Sequence, residues 1–296
     1  MKVGVQLPEI ERVVPWSEYR EMAVLAEQVG FDSLWLGDHL LYDKPDGLRG
    51  PWECWTLLGA IAAVTERVLL GPLVSPTGFR QPAVLAKMAG TVDEISGGRL
   101  VLGLGSGWNK REFDAFGVPF NNRVSRFAEA FEIIAGLIRR GHVEFEGEYY
   151  RAQNASLVPP ARADLPIMIG STGPRMLALT AGEMNWWNEW WDRFDNSPTG
   201  LIPLVQQVDE SISAAGRDPA EVTKSVALLV QVSGGQGRSM GATTDSTPIT
   251  GSLEGIGEQI LEFGELIDHV QLVVDPITLE SIEALAATVE IVHAGQ

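Results

Sequence analysis

Apolar runs short enough for strands alternate with stretches of helical periodicity along the chain. The strand-like runs are Val3 to Leu7, Leu34 to Leu36, Val68 to Val74, Leu100 to Leu104, Pro166 to Gly170, Glu183 to Trp187, Ser225 to Val232 and His269 to Val274. After the first, Tyr19, Met22, Ala23 and Ala26 share a helical face, with Ser17 as the expected cap and Gly30 as the stop. A second helix spans about Glu53 to Thr65, and Pro82 suits the first turn of a third that carries Leu85, Met88, Ala89 and Val92. Phe127, Phe131, Ile134 and Ile138 mark the fourth helix, and Gly173 to Ala181 the fifth. Leu201, Leu204, Val205, Val208 and Ile212 face the core from the sixth, and Leu253, Ile256 and Ile260 from the seventh. Leu279, Ile282, Ala286 and Val289 close the series. Parallel strands need helical crossovers, so this alternation predicts an α/β fold, a (β/α)8 TIM barrel.

Three stretches depart from the rhythm and are expected as insertions after strand 4, helix 4 and strand 7. A polar excursion follows Leu104, and His142 to Pro160 alternates aromatic and charged residues around Gly147 like a hairpin. Gly234 to Thr250 is rich in Gly, Ser and Thr, as befits a lid-like loop at the barrel mouth or a plain surface loop. It does not read as a domain linker, and with 45% hydrophobic residues to fill a core, residues 1–296 are expected to form one TIM-barrel domain.

Composition narrows the partners. The 296 residues carry 22 basic and 39 acidic side chains, a net charge of −17, which repels nucleic acid and anionic membranes. The one cysteine, Cys54, rules out an intramolecular disulfide, and MKVGVQLP leads directly into a strand with neither signal peptide nor membrane span. A cytoplasmic location and a small-molecule substrate are the expectation.

Chemistry concentrates where the predicted strands end. In LWLGDHL (Leu34 to Leu40) the apolar run breaks at Gly37 into Asp38 and His39, and the C-terminal ends of barrel strands are where active sites collect. Of the four histidines only His39 has this position; His142 lies in the insertion, His269 begins a strand and His293 is in the tail. The alternative is that Asp38 caps a turn and His39 packs in a loop. No metal is expected, because a lone Asp-His pair does not make a three- or four-ligand shell. Gly103 to Asn109 (GLGSGWN) lacks the Lys-Ser/Thr ending of a P-loop, but its glycines would let a planar ring approach the backbone. Gly170 to Arg175 (GSTGPR) combines amides at a helix start with two hydroxyls and an arginine, which suits a phosphate or a simple cap. Asn185 to Trp191 (NWWNEWW) packs four tryptophans together, as a ring-binding wall or as core.

In order and spacing these pieces resemble the luciferase-like monooxygenase superfamily, especially its branch that uses coenzyme F420. The resemblance covers GDH at 37 to 39, LLGPLV, FRQPAVLAKMAGTVDEISGGRLVLGLGSGW, EFEGEYY, IMIGSTGPR and the WN at 187 to 188. It implies a TIM barrel with flavin or F420 at the C-terminal face and a nonprolyl cis peptide joining Leu73 to Val74. By that likeness Asp38 would contact or orient the coenzyme ring and His39 would be a general acid or base. Leu73, Val74, Gly105, Ser106 and Gly107 would lie against the coenzyme, and Gly170, Ser171, Thr172, Gly173, Pro174, Arg175 and Met176 would hold its phosphate. The sequence departs from the F420-dependent sugar-phosphate dehydrogenases at Trp108, where they carry a glutamate. A tryptophan cannot act as an acid, so an apolar substrate against Trp108, Trp187 and Trp190 is expected instead. Glu183 to Trp187 also departs from the family's usual residues. The implied activity is hydride transfer between F420 and a small organic molecule. The alternatives are an FMN-dependent two-component monooxygenase and a noncatalytic flavin-binding barrel, and the likeness makes a homodimer plausible.

Overall fold

The computed structural model describes residues 1–45, 47–235 and 247–295. Eight parallel strands form the framework: β1 Lys2–Gln6, β2 Ser33–Leu36, β3 Leu69–Pro72, β4 Leu102–Gly105, β5 Ile167–Gly170, β6 Trp186–Trp190, β7 Thr223–Gln231 and β8 His269–Asp275. They neighbour one another in the order β3, β2, β1, β8, β7, β6, β5, β4. Closure comes from the continuation of β3: Leu70 bridges Leu100, and the short strand Ser75–Pro76 pairs with Leu104 and Gly105 of β4. The ring is a TIM barrel. Strands such as β2, buried at every residue, read as continuous apolar runs because helices cover them outside and side chains fill them inside.

The helices are α1 Trp16–Gln28, α2 Cys54–Ala62, α3 Pro82–Ser96, α4 Lys110–Ala115, α5 Arg123–Arg140, α6 Pro174–Thr180, α7 Pro198–Ala214, α8 Leu253–Leu261, α9 Leu279–Ala284 and α10 Ala286–Ala294. Pro82 does open α3, and Gly97 ends it in the left-handed conformation at φ 69°. Ser17 does not cap α1; the helix begins one residue earlier, Pro15 stands at the cap position and no side chain caps it. The closing helix is two helices that meet at the buried Leu285. Strand β6 starts later than its apolar pattern suggests, because the amides of Glu183 and Met184 are spent on the Thr180 carbonyl in the turn that ends α6.

The barrel interior is a packed core. At its base Trp35 Nε1 donates to Ser33 Oγ at 2.6 Å, Ser33 Oγ lies 2.7 Å from His269 Nε2, and Trp186 packs on both rings. Burial pushes the His269 pKa down to about 3, so the ring is neutral and structural. One layer up, Asn188 Nδ2 donates to Gln271 Oε1 at 2.8 Å and to Ser225 Oγ at 3.1 Å. His142–Glu146 and Arg151–Ser156 form an antiparallel hairpin, and a second hairpin, Tyr42–Lys44 with Gly47–Arg49, follows β2. Of the predicted lid at Gly234 to Thr250, residues 236–246 lie outside the described residues; Ile249 bridges Val230 beside β7. Among the described residues no helix is long and apolar enough to cross a membrane.

Candidate functional site

A cavity of about 520 Å³ opens at the C-terminal ends of the strands. That is a size typical of small-molecule sites. Glu9 enters from the end of β1, His39 and Tyr42 from β2, and Leu73, Val74 and Pro76 from β3. Gly105 to Trp108 come from β4, Gly170 to Gly173 from β5, and Asn188, Glu189, Trp190, Asp192 and Arg193 from β6 and the turn after it.

His39 is the best-organised polar group in this wall. Its side chain is 13% exposed, and Nδ1 lies 2.9 Å from Oε1 of the fully buried Glu112. Facing a carboxylate, Nδ1 is the protonated, donating nitrogen, which leaves Nε2 as the nitrogen Glu112 does not engage. The other Glu112 oxygen accepts from the Leu40 amide at 2.8 Å, so the carboxylate clamps ring and backbone together. Burial alone would lower the His39 pKa, but the Glu112 hydrogen bond and the charges of Glu9, Glu112 and Asp38 outweigh it and raise the pKa. Glu112 sits on α4, inside the polar excursion that shows no strand or helix periodicity. Asn109, three residues earlier, caps α4 by accepting from the Arg111 amide. An Asn followed three residues later by Glu is a helix-start signature, which is the kind of signal by which a short helix such as α4 can be found in sequence.

Asp38 has a different place from its neighbour. It is buried, accepts from both Arg80 terminal nitrogens at 2.6 and 3.0 Å and from Ser75 Oγ at 2.6 Å, and does not line the cavity. The carboxylate that holds the His39 ring is therefore Glu112 and not Asp38; adjacent side chains leave a strand end in opposing directions. Tyr42 OH donates to Glu9 Oε1 at 2.6 Å and Gln6 Nε2 to Glu9 Oε2 at 2.8 Å. Tyr42 and Trp108 pack against the His39 ring, with centroids 4.9 and 5.6 Å away. Trp108 remains 49% exposed, a flat apolar wall beside the imidazole.

The opposite side of the cavity is built on glycine. Leu73–Val74 is a cis peptide, and Val74 sits against Gly105 and Gly170, where a Cβ would come within 2.8 and 3.0 Å of its Cγ2. A Cβ at Gly105 would force Val74 to shift and one at Gly170 would press on it, so the two glycines give the valine room and leave this wall shallow. A planar ring fits such a surface, which is the test a flavin-like coenzyme sets here.

The loop after β5 is pinned from behind. Trp187 Nε1 donates to the Ser171 carbonyl at 3.1 Å, Gln207 Nε2 to the Thr172 carbonyl at 2.6 Å, and the Gly173 amide to Ser171 Oγ at 3.1 Å. Arg175 turns away and donates to Ser125 Oγ at 2.9 Å. Pro174, Arg175 and Met176 open α6 and do not line the cavity. Nor does Trp187, which is fully buried: along β6 it alternates with Trp186 and Asn188 and faces the helix layer. Trp190 does line it, and so does Glu189, whose carboxyl is masked in sequence by the tryptophans on either side of it.

The solved F420-dependent secondary alcohol dehydrogenase in complex with an F420-acetone adduct superposes with a TM-score of 0.80 over 98% of each chain at 20% identity. A monooxygenase, RslO1 from Streptomyces bottropensis, gives 0.78 at 21% identity, covering 98% of this chain and 97% of that one. Such distant likenesses establish the shared barrel. In sequence the chain is 32% identical over 225 residues to 5,10-methylenetetrahydromethanopterin reductase of Methanolobus tindarius, 75% of this chain and 63% of that protein. It is 39% identical over 168 residues to F420-dependent glucose-6-phosphate dehydrogenase of Nakamurella multipartita, 55% of this chain and 49% of that one. The match thus spans between about half and two thirds of these curated relatives. The family profile described as luciferase-like monooxygenase matches residues 2–236, from β1 past the end of β7 and through every strand end that lines the His39 cavity. With that match and the barrel together, the chain belongs to the luciferase-like monooxygenase family.

Proposed function

We propose that the protein is an F420-dependent oxidoreductase that transfers a hydride between the coenzyme and a small, largely apolar organic molecule in the cavity above β1 to β6. The observation that carries this reading is His39, fixed through Nδ1 by buried Glu112 at the edge of a glycine-lined cavity. Coenzyme F420 would supply or accept the hydride when bound; the protein must hold the ring about 3 to 3.5 Å from the reacting carbon and manage one proton. Val74, Gly105, Ser106, Gly107 and Gly170 would lie against the ring, and Ser171, Thr172 and Gly173 would hold its phosphorylated chain. Pro174 and Met176 would set the course of that loop, and Leu73 would anchor the Val74 bulge. His39 would give or take the proton at Nε2. Asp38, held by Arg80, would fix the β2 and β3 ends rather than touch the ring. Trp108 and Trp190 would offer the substrate flat apolar surfaces, with Trp187 supporting them from the core. Similarity to F420-dependent relatives favours F420 over FMN.

A second reading, an FMN-dependent monooxygenase, rests on the 29% identity over 211 residues to pyrimidine monooxygenase RutA of Methylorubrum populi. Competition between F420 and FMN, followed by fluorescence, separates the two. Tighter binding of FMN, or oxygen-dependent turnover with reduced FMN, overturns the first reading. His39→Ala should bind F420 normally and lose turnover by about 10² to 10⁴. Wild-type turnover in that variant, with the hydride step rate-limiting, would remove His39 from the chemistry.

A further inference from the structure

The buried carboxyl groups around the cavity differ in how fully they are partnered. Glu9 accepts a hydrogen bond on each oxygen, and so does Glu112. Glu189 accepts from the Trp190 amide on Oε1 at 3.1 Å, but its Oε2 is buried with no hydrogen bond of ordinary geometry among the described residues; the Thr172 side chain is near enough to favour the charged form without closing such a bond. The residue is only 7% exposed and lines the cavity beside the loop after β5. A buried carboxylate with one oxygen unmet is costly, whereas the acid form has an O–H to donate and awaits an acceptor. Burial pushes its pKa up, against the pull of the Thr172 side chain, the Trp190 amide and Arg193; Asp192 adds to the rise. Strands β2 and β6 stand on opposite sides of the ring, so Glu189 lies across the cavity from His39.

We propose that Glu189 is a specificity-determining residue whose uncharged carboxyl group donates a hydrogen bond to an oxygen of the bound ligand beside Gly170 to Gly173. The inference rests on the reading of this cavity as a coenzyme site, and the oxygen is a phosphoryl or hydroxyl oxygen of the coenzyme's side chain. Ionisation turns the donor into a charge that repels the same oxygen. Affinity therefore falls as pH rises through the titration of Glu189. The other charged groups on this wall are Asp192 and Arg193, which flank it from the turn after β6.

The test is fluorescence titration of F420, FMN and riboflavin between about pH 5 and pH 9, against wild type, Glu189→Gln, Glu189→Leu and Asp192→Asn. Wild-type affinity should drop about tenfold across that span, the worth of one hydrogen bond to a buried polar group. Glu189→Gln, which still donates but cannot ionise, should hold the low-pH affinity throughout. Glu189→Leu should be weak at every pH. Loss confined to FMN identifies a phosphoryl oxygen, and equal loss for FMN and riboflavin a hydroxyl; either supports the proposal. One pH profile shared by wild type and Glu189→Gln overturns it, and this comparison stands even if the leucine variant does not fold. Loss of the pH dependence in Asp192→Asn overturns it as well, by making Asp192 the titrating group. Preference for FMN over F420 sinks the proposed function while the Glu189 comparison is still read on FMN. Binding of none of the three overturns both.

Discussion

Glu112 Oε1 meets His39 Nδ1 at 2.9 Å across 73 residues of sequence, and the same carboxylate takes the Leu40 amide at 2.8 Å. The polar stretch after β4 thus folds back to organise the end of β2. Helix α4 has only six residues, too few to be stable alone, so its docking onto the His39 loop and the packing of Phe113 hold it in place.

Replacing Glu112 by Gln removes the charge that raises the His39 pKa and keeps the shape. The His39 titration midpoint, followed by NMR, should move down. The sign on stability follows: a histidine whose folded pKa is raised stabilises the fold fully below its unfolded value of about 6.5 and loses that contribution as pH rises through the folded value. The stability deficit of Glu112→Gln should therefore be larger at pH 5.5 to 6 than at about pH 9. A deficit independent of pH, with an unmoved midpoint, would mean that the pair carries no charge coupling.

Arg80 and Asp38 form a mostly buried pair, with Glu53 as a second acceptor at 2.5 Å. Arg80→Met would strand the Asp38 carboxylate in the interior, which typically costs about 3 to 5 kcal/mol. Urea unfolding should show that loss, and Asp38→Asn in the same background should recover part of it. Loss of less than about 1 kcal/mol in Arg80→Met would show that Asp38 finds water or another partner.

Sequence periodicity made the barrel legible because parallel strands are buried on both faces and their helices on one. The break at Gly37 marked His39 for the same reason: titratable residues directly after an apolar run stand out. Glu112 was hidden, since its partner is remote in sequence and its short helix has no apolar stripe. Trp187 is core rather than wall because β6 runs on to Trp190, which puts it inside the strand on the face opposite Trp186 and Asn188 instead of at the strand's tip. Tryptophan density alone cannot tell a cavity wall from core; at Trp186 to Trp191 the fold uses it for both.

Trp108→Ala and Trp187→Ala should consequently part ways. Trp108 is half exposed, so its loss should leave folding nearly unchanged and raise the substrate KM at constant F420 affinity. Trp187 is fully buried, and its truncation should cost about 3 to 5 kcal/mol and loosen the Ser171 loop, weakening F420 binding as well. Urea melts and F420 titration on both variants check this, and equal stability loss in the two would contradict the placement.

Gly105→Ala probes the shallow surface on which the coenzyme reading depends. Its φ lies outside the left-handed region, so alanine suits the backbone, but the new Cβ would stand 2.8 Å from Val74 Cγ2. Val74 lines the cavity, so the displacement the new methyl forces on it changes the shape of the wall. The strain should cost about 1 to 3 kcal/mol in stability. The sharper effect should be on F420 affinity, with at least a tenfold loss, about 1.4 kcal/mol, because the displaced methyls occupy the space of the ring. Val74→Ala in the same chain removes those methyls and should restore most of the affinity, a coupling that a double-mutant cycle measures directly. Unchanged affinity in Gly105→Ala, or no recovery in the double variant, would mean that the ring does not lie against Val74.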